Sequence, residues 1–277
     1  MNKTSKNRFI AVVTAAITMG IASGSAMATT VEVPLPVDPL ELTTNIDNQY
    51  WPLQVGTYAY MAETEDGCEY NKLTIDGGTY TVDGYTVLVV RDQEWESEEC
   101  DPSSATLAED TLDYYAMDSA KNVWYFGEDT WSIDEESPIC SDDGAWLAGE
   151  GGAEAGTVML GSPTSGDRYR QEYWEEEAED WGAVLRLNAK ISIDYLDSEF
   201  EACLMTREWT PLEPGEVEHK FYCPQDGNQG PGLMFIEELK GKTVYVEYIG
   251  PGPIGVIDEF IPFPAMEAVG SCTMPVE

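Results

Sequence analysis

The 277-residue chain carries 52 acidic against 14 basic side chains and a single histidine, a formal net charge of −38. Charge of that sign repels nucleic acid and anionic membrane surfaces, which excludes both as partners. A hydrophobic content of 43%, with 8 Trp and 15 Tyr, supplies a real core and excludes a disordered chain.

The first predicted element is an export signal. Lys3, Lys6 and Arg8 form a positive n-region, Phe9 to Ile21 an apolar stretch, and Ala26-Met27-Ala28 a small-residue cleavage site. The apolar stretch is too short for a membrane span. Cleavage near Ala28 starts the mature chain at Thr29 and leaves 249 residues (277 − 28). Losing three positive charges takes −38 to −41. The expected location is periplasmic or extracellular. No Cys stands at a lipoprotein-type cleavage point and no second apolar run offers a membrane anchor, so a soluble chain is expected. Nothing in the pattern sets an oligomeric state.

Residues 29–48, with VPLPVDPL, read as an extended lead-in. A single β-rich domain is expected over 49–277, opening at Tyr50-Trp51-Pro52-Leu53 and ending in a Pro/Gly-rich tail from about residue 250. Period-two alternation predicts strands at 55–62, 68–75, 80–92, 108–118, 122–132, 166–174, 185–195, 200–209, 216–223, 232–238 and 242–249. Leu185 to Tyr195 is the clearest, with Leu185, Leu187, Ala189, Ile191, Ile193 and Tyr195 on one face. Turn signals at Asp76-Gly77-Gly78, Asp118 to Asn122, Pro211 to Gly215 and Gly250-Pro251-Gly252 separate strands. Glu172 to Asp180 reads as a solvated acidic loop. The expected fold class is all-β: a large antiparallel meander forming an open half-barrel, a barrel or a sandwich, stabilised by disulfides.

All six cysteines, Cys68, Cys100, Cys140, Cys203, Cys223 and Cys272, lie in the exported part, which favours three disulfides over metal thiolates. The turn Pro211 to Gly215 centres on residue 213, so opposed residues sum to 426. That register sets Cys203 against Cys223, Met205 against Phe221, Arg207 against His219 and Trp209 against Val217. A second hairpin centred on residue 120 faces Tyr114 and Tyr115 toward Phe126 and Tyr125. Extended, it brings Cys100 to Cys140 and leaves Cys68 for Cys272. Pairing Cys68 with Cys100 across the first strands is the open alternative.

With His219 the lone histidine, a zinc site with two or three histidines cannot be built from one chain. No G-x-S-x-G elbow supplies a serine nucleophile. Gly250-Pro251-Gly252-Pro253-Ile254-Gly255 fits G-x-G-x-x-G formally, but its prolines block the helix entry a pyrophosphate needs. Arg207 and His219 share a face with Trp209 and apolar residues, and burial there demands partners. The plain reading satisfies them with carboxylates; the sharper one makes Arg207, His219 and Trp209 a ligand-binding corner for an anion. On the opposite face Glu208 opposes Glu218, a like-charge pair that splays into water or holds a cation. Glu208, Glu218 and Asp226, in the tight Cys223 to Asn228 segment, are the candidate metal ligands, with Ca²⁺ the fitting ion. The Gly149 to Gly156 loop is a further candidate. The other acidic runs, Glu94 to Glu99, Asp134 to Glu136, Asp142-Asp143 and Glu175 to Asp180, lack an EF-hand's spacing and read as solvated loops.

Three segments, Thr111 to Glu128 (TLDYYAMDSAKNVWYFGE), Gly166 to Tyr173 (GDRYRQEY) and Glu208 to Tyr222 (EWTPLEPGEVEHKFY), resemble a broad family of uncharacterised secreted bacterial β-rich proteins. The resemblance spans about residues 105–235, with a weaker echo at Tyr50 to Gly56. Cys223 and the segment Pro224 to Gly230 replace a shorter glycine turn of that family. The resemblance implies a shared β-rich fold and carries no activity.

The expectation is a non-enzymatic exported protein that binds a small ligand or divalent cation. One rival is an envelope or surface protein whose charge serves solubility or salt adaptation. The other is a carboxylate-dependent hydrolase, which requires carboxylates from distant strands in one concave site with at least one raised pKa.

Overall fold

The computed structural model describes residues 29–133, 144–224, 232–239 and 243–250. The signal segment, Cys140, Asp226, Cys272 and the Pro/Gly tail lie outside them. No α-helix occurs among the described residues.

The short strands β1 (Thr29–Thr30), β2 (Ile46–Asp47) and β3 (Pro52–Leu53) precede the long ones β4 (Gly56–Glu63), β5 (Cys68–Ile75), β6 (Thr79–Val82), β7 (Tyr85–Ser97), β8 (Thr106–Met117) and β9 (Val123–Ser132). Then come β10 (Trp146–Leu147), β11 (Glu154–Met159), β12 (Asp167–Arg170) and β13 (Glu172–Tyr173). The chain's second long run is β14 (Trp181–Ile193), β15 (Ser198–Trp209), β16 (Glu218–Tyr222), β17 (Leu233–Glu238) and β18 (Val244–Gly250).

Sixteen strands form one sheet along the path β1-β12-β14-β15-β16-β17-β18-β4-β5-β7-β8-β9-β11-β13, with β6 and β10 as side additions. Its pairings are antiparallel except β1 on β12, so the sheet is mixed. The ladder is not a closed barrel. Its two ends nevertheless meet on one piece of chain, because β12 pairs with β14 while β13, a single residue further on, pairs with β11. The sheet therefore curls around its concave face. Trp51 packs across that concavity, its ring 5.2 Å from Tyr115 on β8 and 6.2 Å from Tyr222 on β16. With Tyr58, Tyr60 and Leu204 these rings bury one stretch of the concave face.

Several local predictions hold. Leu204 faces Tyr222, Met205 faces Phe221 and Glu208 faces Glu218, all summing to 426, and Cys203 is bonded to Cys223. The second hairpin keeps its register near the turn, where Tyr115 opposes and stacks on Tyr125 at 4.9 Å. A bulge shifts it by one residue beyond, where Asp113 opposes Glu128. Cys100 bonds Cys68, so the extension to Cys140 does not occur. The reason is the β5–β7 register, which sets Cys68 opposite Ser97, with a turn then folding Cys100 back.

Three differences have physical causes. The predicted strand 80–92 is two strands, since Asp83 and Gly84 at φ 47° and 80° make a tight hairpin turn of the left-handed type. The predicted strand 166–174 breaks at Gln171, where the chain changes sheet ends. The alternation of Leu185 to Tyr195 is interrupted by bulges between Val184 and Ile191, so Leu185 and Leu187 are exposed while Ala189 and Ile193 are buried.

The Cys203–Cys223 bond closes a loop of 20 residues in sequence separation between adjacent strands. Cys203→Ser and Cys223→Ser should each cost about 3 kcal/mol, and the double variant no more than either single one. Denaturant midpoints of the three variants check this; additive losses would exclude the pairing.

Candidate functional site

Alternation on the curled sheet sends one set of side chains into the concavity. The register aligns Tyr169, Gly182, Glu208, Glu218 and Glu238 across β12, β14, β15, β16 and β17. Lys220 lies two residues along β16 from Glu218, on the same face. Further round, Glu69 opposes Glu96, Asn71 opposes Glu94, and Glu94 opposes Glu109, while Asp92 opposes Thr111 and Asp113 opposes Glu128. Glu172 of β13 and Asp180 complete the lining near Lys220. Carboxylates thus line much of the inside of the sheet, interrupted at β18 and β4, where Val246 and Ala62 take that face.

Lys220 sits between two of these carboxylates, its Nζ 3.2 Å from Glu208 and 3.3 Å from Glu218. Glu208 is 7% exposed and fully engaged. Its Oε2 also accepts from Gln171 at 3.0 Å, and its Oε1 accepts from Thr206 at 2.8 Å and Tyr222 at 3.1 Å. Burial alone would push Glu208 up, but the Lys220 ammonium and these hydrogen bonds outweigh it and hold the carboxyl below its usual range. Burial would likewise depress Lys220, yet Glu208 and Glu218 hold it well above the ordinary lysine value.

The neighbours move the other way. Burial, then Glu69 and Glu109, raises Glu94 to about 7 against the relief of a hydrogen bond from Asn71. Burial raises Asp113 to about 7 in spite of hydrogen bonds from Tyr125 and Tyr115. Burial, then Asp180, takes Glu172 to about 8, with Trp146 and Lys220 opposing. Burial, then Glu218, Glu69 and Glu94, takes Glu238 to about 7. Asp92 and Glu128 are also pushed well up, by burial first and by Asp113 next. Glu94, Glu128, Glu172 and Glu238 nonetheless stay only half-buried. These carboxyls are thus desolvated by the surrounding protein while keeping some open surface along the concave face, the acidic trough.

The predicted residues divide between the two faces. Arg207, Trp209 and His219 lie on the convex face. Arg207 stacks on Trp209 at 4.7 Å, and Arg168 lies over Trp209 and Trp181 at 4.8 and 4.6 Å. His219 Nδ1 is 3.1 Å from Glu237, the carboxylate partner of the plain reading. Glu208 and Glu218 are brought together around the protein's own ammonium, and Asp226 lies outside the described residues. Among the described residues no three Asp, Glu, His or Cys side chains are arranged to hold a metal ion. Glu94 and Glu96 belong to β7 instead of the solvated loop expected for them. Sequence reasoning missed Lys220, Asp92, Asp113, Glu128 and Glu238. The available signal was period-two placement in strands of confirmed register: Lys220 must share a face with Glu218, and Asp92 with Glu94.

No family model matches the chain, and no curated protein does. Among solved structures the chain is similar to a candidate lipoprotein from Parabacteroides distasonis, with 9% identity over 74% of this chain and 99% of that chain and a TM-score of 0.37. The two disulfides among the described residues, Cys68–Cys100 and Cys203–Cys223, are compatible with an exported protein.

Two predictions follow from the charges. Lys220→Met strips Glu208 of its cation. The expected loss is at the low end of the roughly 3–5 kcal/mol of a buried broken pair, since the lysine keeps some exposure. Adding Glu208→Gln should recover part of it in denaturant titrations. The raised groups set the pH response. Glu94, Asp113, Glu172 and Glu238, at about 7 to 8 in the folded chain, hold protons there that the unfolded chain has released. Their stabilisation is full below the unfolded carboxylate range and is lost as pH rises through 7 to 8. Melting temperature should therefore fall between about pH 5 and 8, and Glu94→Gln with Glu172→Gln should flatten the fall. A melting temperature that climbs over this interval would contradict the assignment.

Proposed function

We propose that the protein is an exported, non-enzymatic binding protein that takes a cation or small cationic molecule in its acidic trough. The observation that carries this reading is the register that sets carboxylates of β5, β7, β8, β9, β15, β16 and β17 on one face, where Lys220 meets Glu208 and Glu218 and the other carboxylates named have no ammonium of their own among the described residues. Carboxylates forced to keep protons near neutrality gain most from a mobile counter-charge, because a bound cation lets them ionise. Binding is therefore coupled to proton release. Carboxylate oxygens suit both Ca²⁺ and an ammonium group, and since no three of them converge among the described residues the ammonium group is favoured.

Titration of the mature protein with CaCl₂ and with butane-1,4-diamine, in about 150 mM NaCl to screen exposed charge, tests this. One of the two cations should release protons near pH 6.5, bind more tightly near pH 8.5 and raise the melting temperature. Absence of proton release with both would remove the reading.

A carboxylate-dependent hydrolase is the second reading, favoured by one observation. Glu172, raised to about 8, and Glu208, held low, are pushed apart by the same surroundings. Both oxygens of Glu208 are already committed to Gln171, Thr206, Tyr222 and Lys220, which leaves binding as the primary reading. Turnover of a glycoside or ester panel that Glu172→Gln abolishes would reverse the order.

A further inference from the structure

Lys220 is a primary ammonium on a short alkyl chain, already bound in this trough by Glu208 and Glu218. Its environment is thus a worked example of what the wall accepts. Beyond it the carboxylates continue on both sides. Glu238, Glu69, Glu94 and Glu109 run one way, and Asp180, Glu172, Glu128 and Asp113 the other, each interacting with the next. Adjacent strands stand about 4.8 Å apart and alternate residues along one strand about 6.8 Å. Three- and four-carbon spacers hold nitrogens roughly 5–6 Å apart at standard bond lengths. A compact divalent ion instead needs six to eight oxygens converging on one point.

Two buried oxygens, on β12 and β7, lack a hydrogen-bond partner among the described residues. Tyr169 is 1% exposed and its hydroxyl has no hydrogen-bond partner among the described residues. It lies over Gly182, where an added Cβ would meet the ring at 2.8 Å, in the row that continues to Glu208. The phenol feels Glu208 and Lys220 directly. Oδ1 of Asp92 is likewise buried without a partner. Both oxygens can accept a hydrogen bond from an N–H donor. Each has capacity for a partner that the described residues do not provide.

We infer that the ligand class of the trough is a linear oligoamine, with its ammonium groups spread over the carboxylates that flank Lys220 and one of them donating to Tyr169. The inference rests on the cation-binding reading and narrows it. Recognition is then by spacing along the wall, with several ammonium groups each placed as Lys220 is.

The mature protein titrated by calorimetry with spermine, and separately with CaCl₂, in about 150 mM NaCl tests it. Two charge-matched double variants control for the overall acidity. Glu94→Gln with Glu238→Gln empties the trough of two carboxylates, and Glu175→Gln with Glu177→Gln removes two exposed ones. The inner pair relieves desolvated charge and should fold at least as well as the parent. The expected result is one spermine per chain, weakened about tenfold or more by the inner pair and unchanged by the outer pair. Tyr169→Phe should also weaken it. Spermine binding that falls equally in both pairs overturns the inference. Calcium bound stoichiometrically and sensitive to the inner pair, with no such response from spermine, overturns the oligoamine while leaving the cation reading intact. If neither probe responds to the inner pair, both readings fall.

Discussion

Glu208 is the group on which the arrangement turns. Its two oxygens receive Lys220 and Tyr222 from β16, Thr206 from its own strand and Gln171 from the crossing between β12 and β13. Gln171 is the residue at which the chain leaves one end of the sheet and joins the other. One ionised carboxylate therefore ties the seam of an otherwise open ladder to its centre. The partner charge on Lys220 keeps that carboxylate ionised at a depth where burial favours the neutral acid. Glycine at 182 serves the same seam, because only a residue without Cβ lets Tyr169 lie flat against β14 beside it.

The concavity contains two environments for one physical reason. Where Trp51 bridges from Tyr115 to Tyr222, aromatic rings from non-neighbouring strands touch and close the space. Elsewhere on the same face the strands carry carboxylates, which repel one another and stay partly exposed. The apolar part carries the packing energy that the acidic part cannot. Disulfides add to it: Cys68–Cys100 pins the end of β7 to the start of β5, and Cys203–Cys223 pins β15 to the chain just beyond β16.

Much of the fold was legible in the residues, and the reason differs by element. Apolar pairs on one face and a Pro-Gly turn determine the β15–β16 register, so Cys203 could be set against Cys223 from spacing alone. Asp83-Gly84 carries a strong hairpin signal, but strand-forming β-branched and aromatic residues on both sides concealed it. The bulges in β14 were not legible, because a bulge is one extra residue demanded by sheet curvature and leaves no trace in a well-alternating sequence. The acidic wall failed for a different reason. Glu94, Asp113 and Glu238 look like solvated surface charge when read one strand at a time. Only curvature, which is a property of the whole sheet, turns one polar face of each strand inward onto the polar faces of the others.

The distribution of charge bears on why the chain is so acidic. Solubility and salt adaptation are served by carboxylates in water, such as Glu175, Glu176 and Glu177, which are exposed. They are not served by Asp113, 8% exposed, or by Asp92 and Glu128, which burial holds toward the neutral acid. A neutral residue at any of those positions would be less costly to fold, since a desolvated carboxylate without a counter-charge opposes folding as soon as it ionises. Sites that work against local stability are where function is expected to reside. Surface acidity and inner acidity are thus separate features of one composition: the first is carried by carboxylates in water, and the second by carboxyls that burial holds toward the neutral acid.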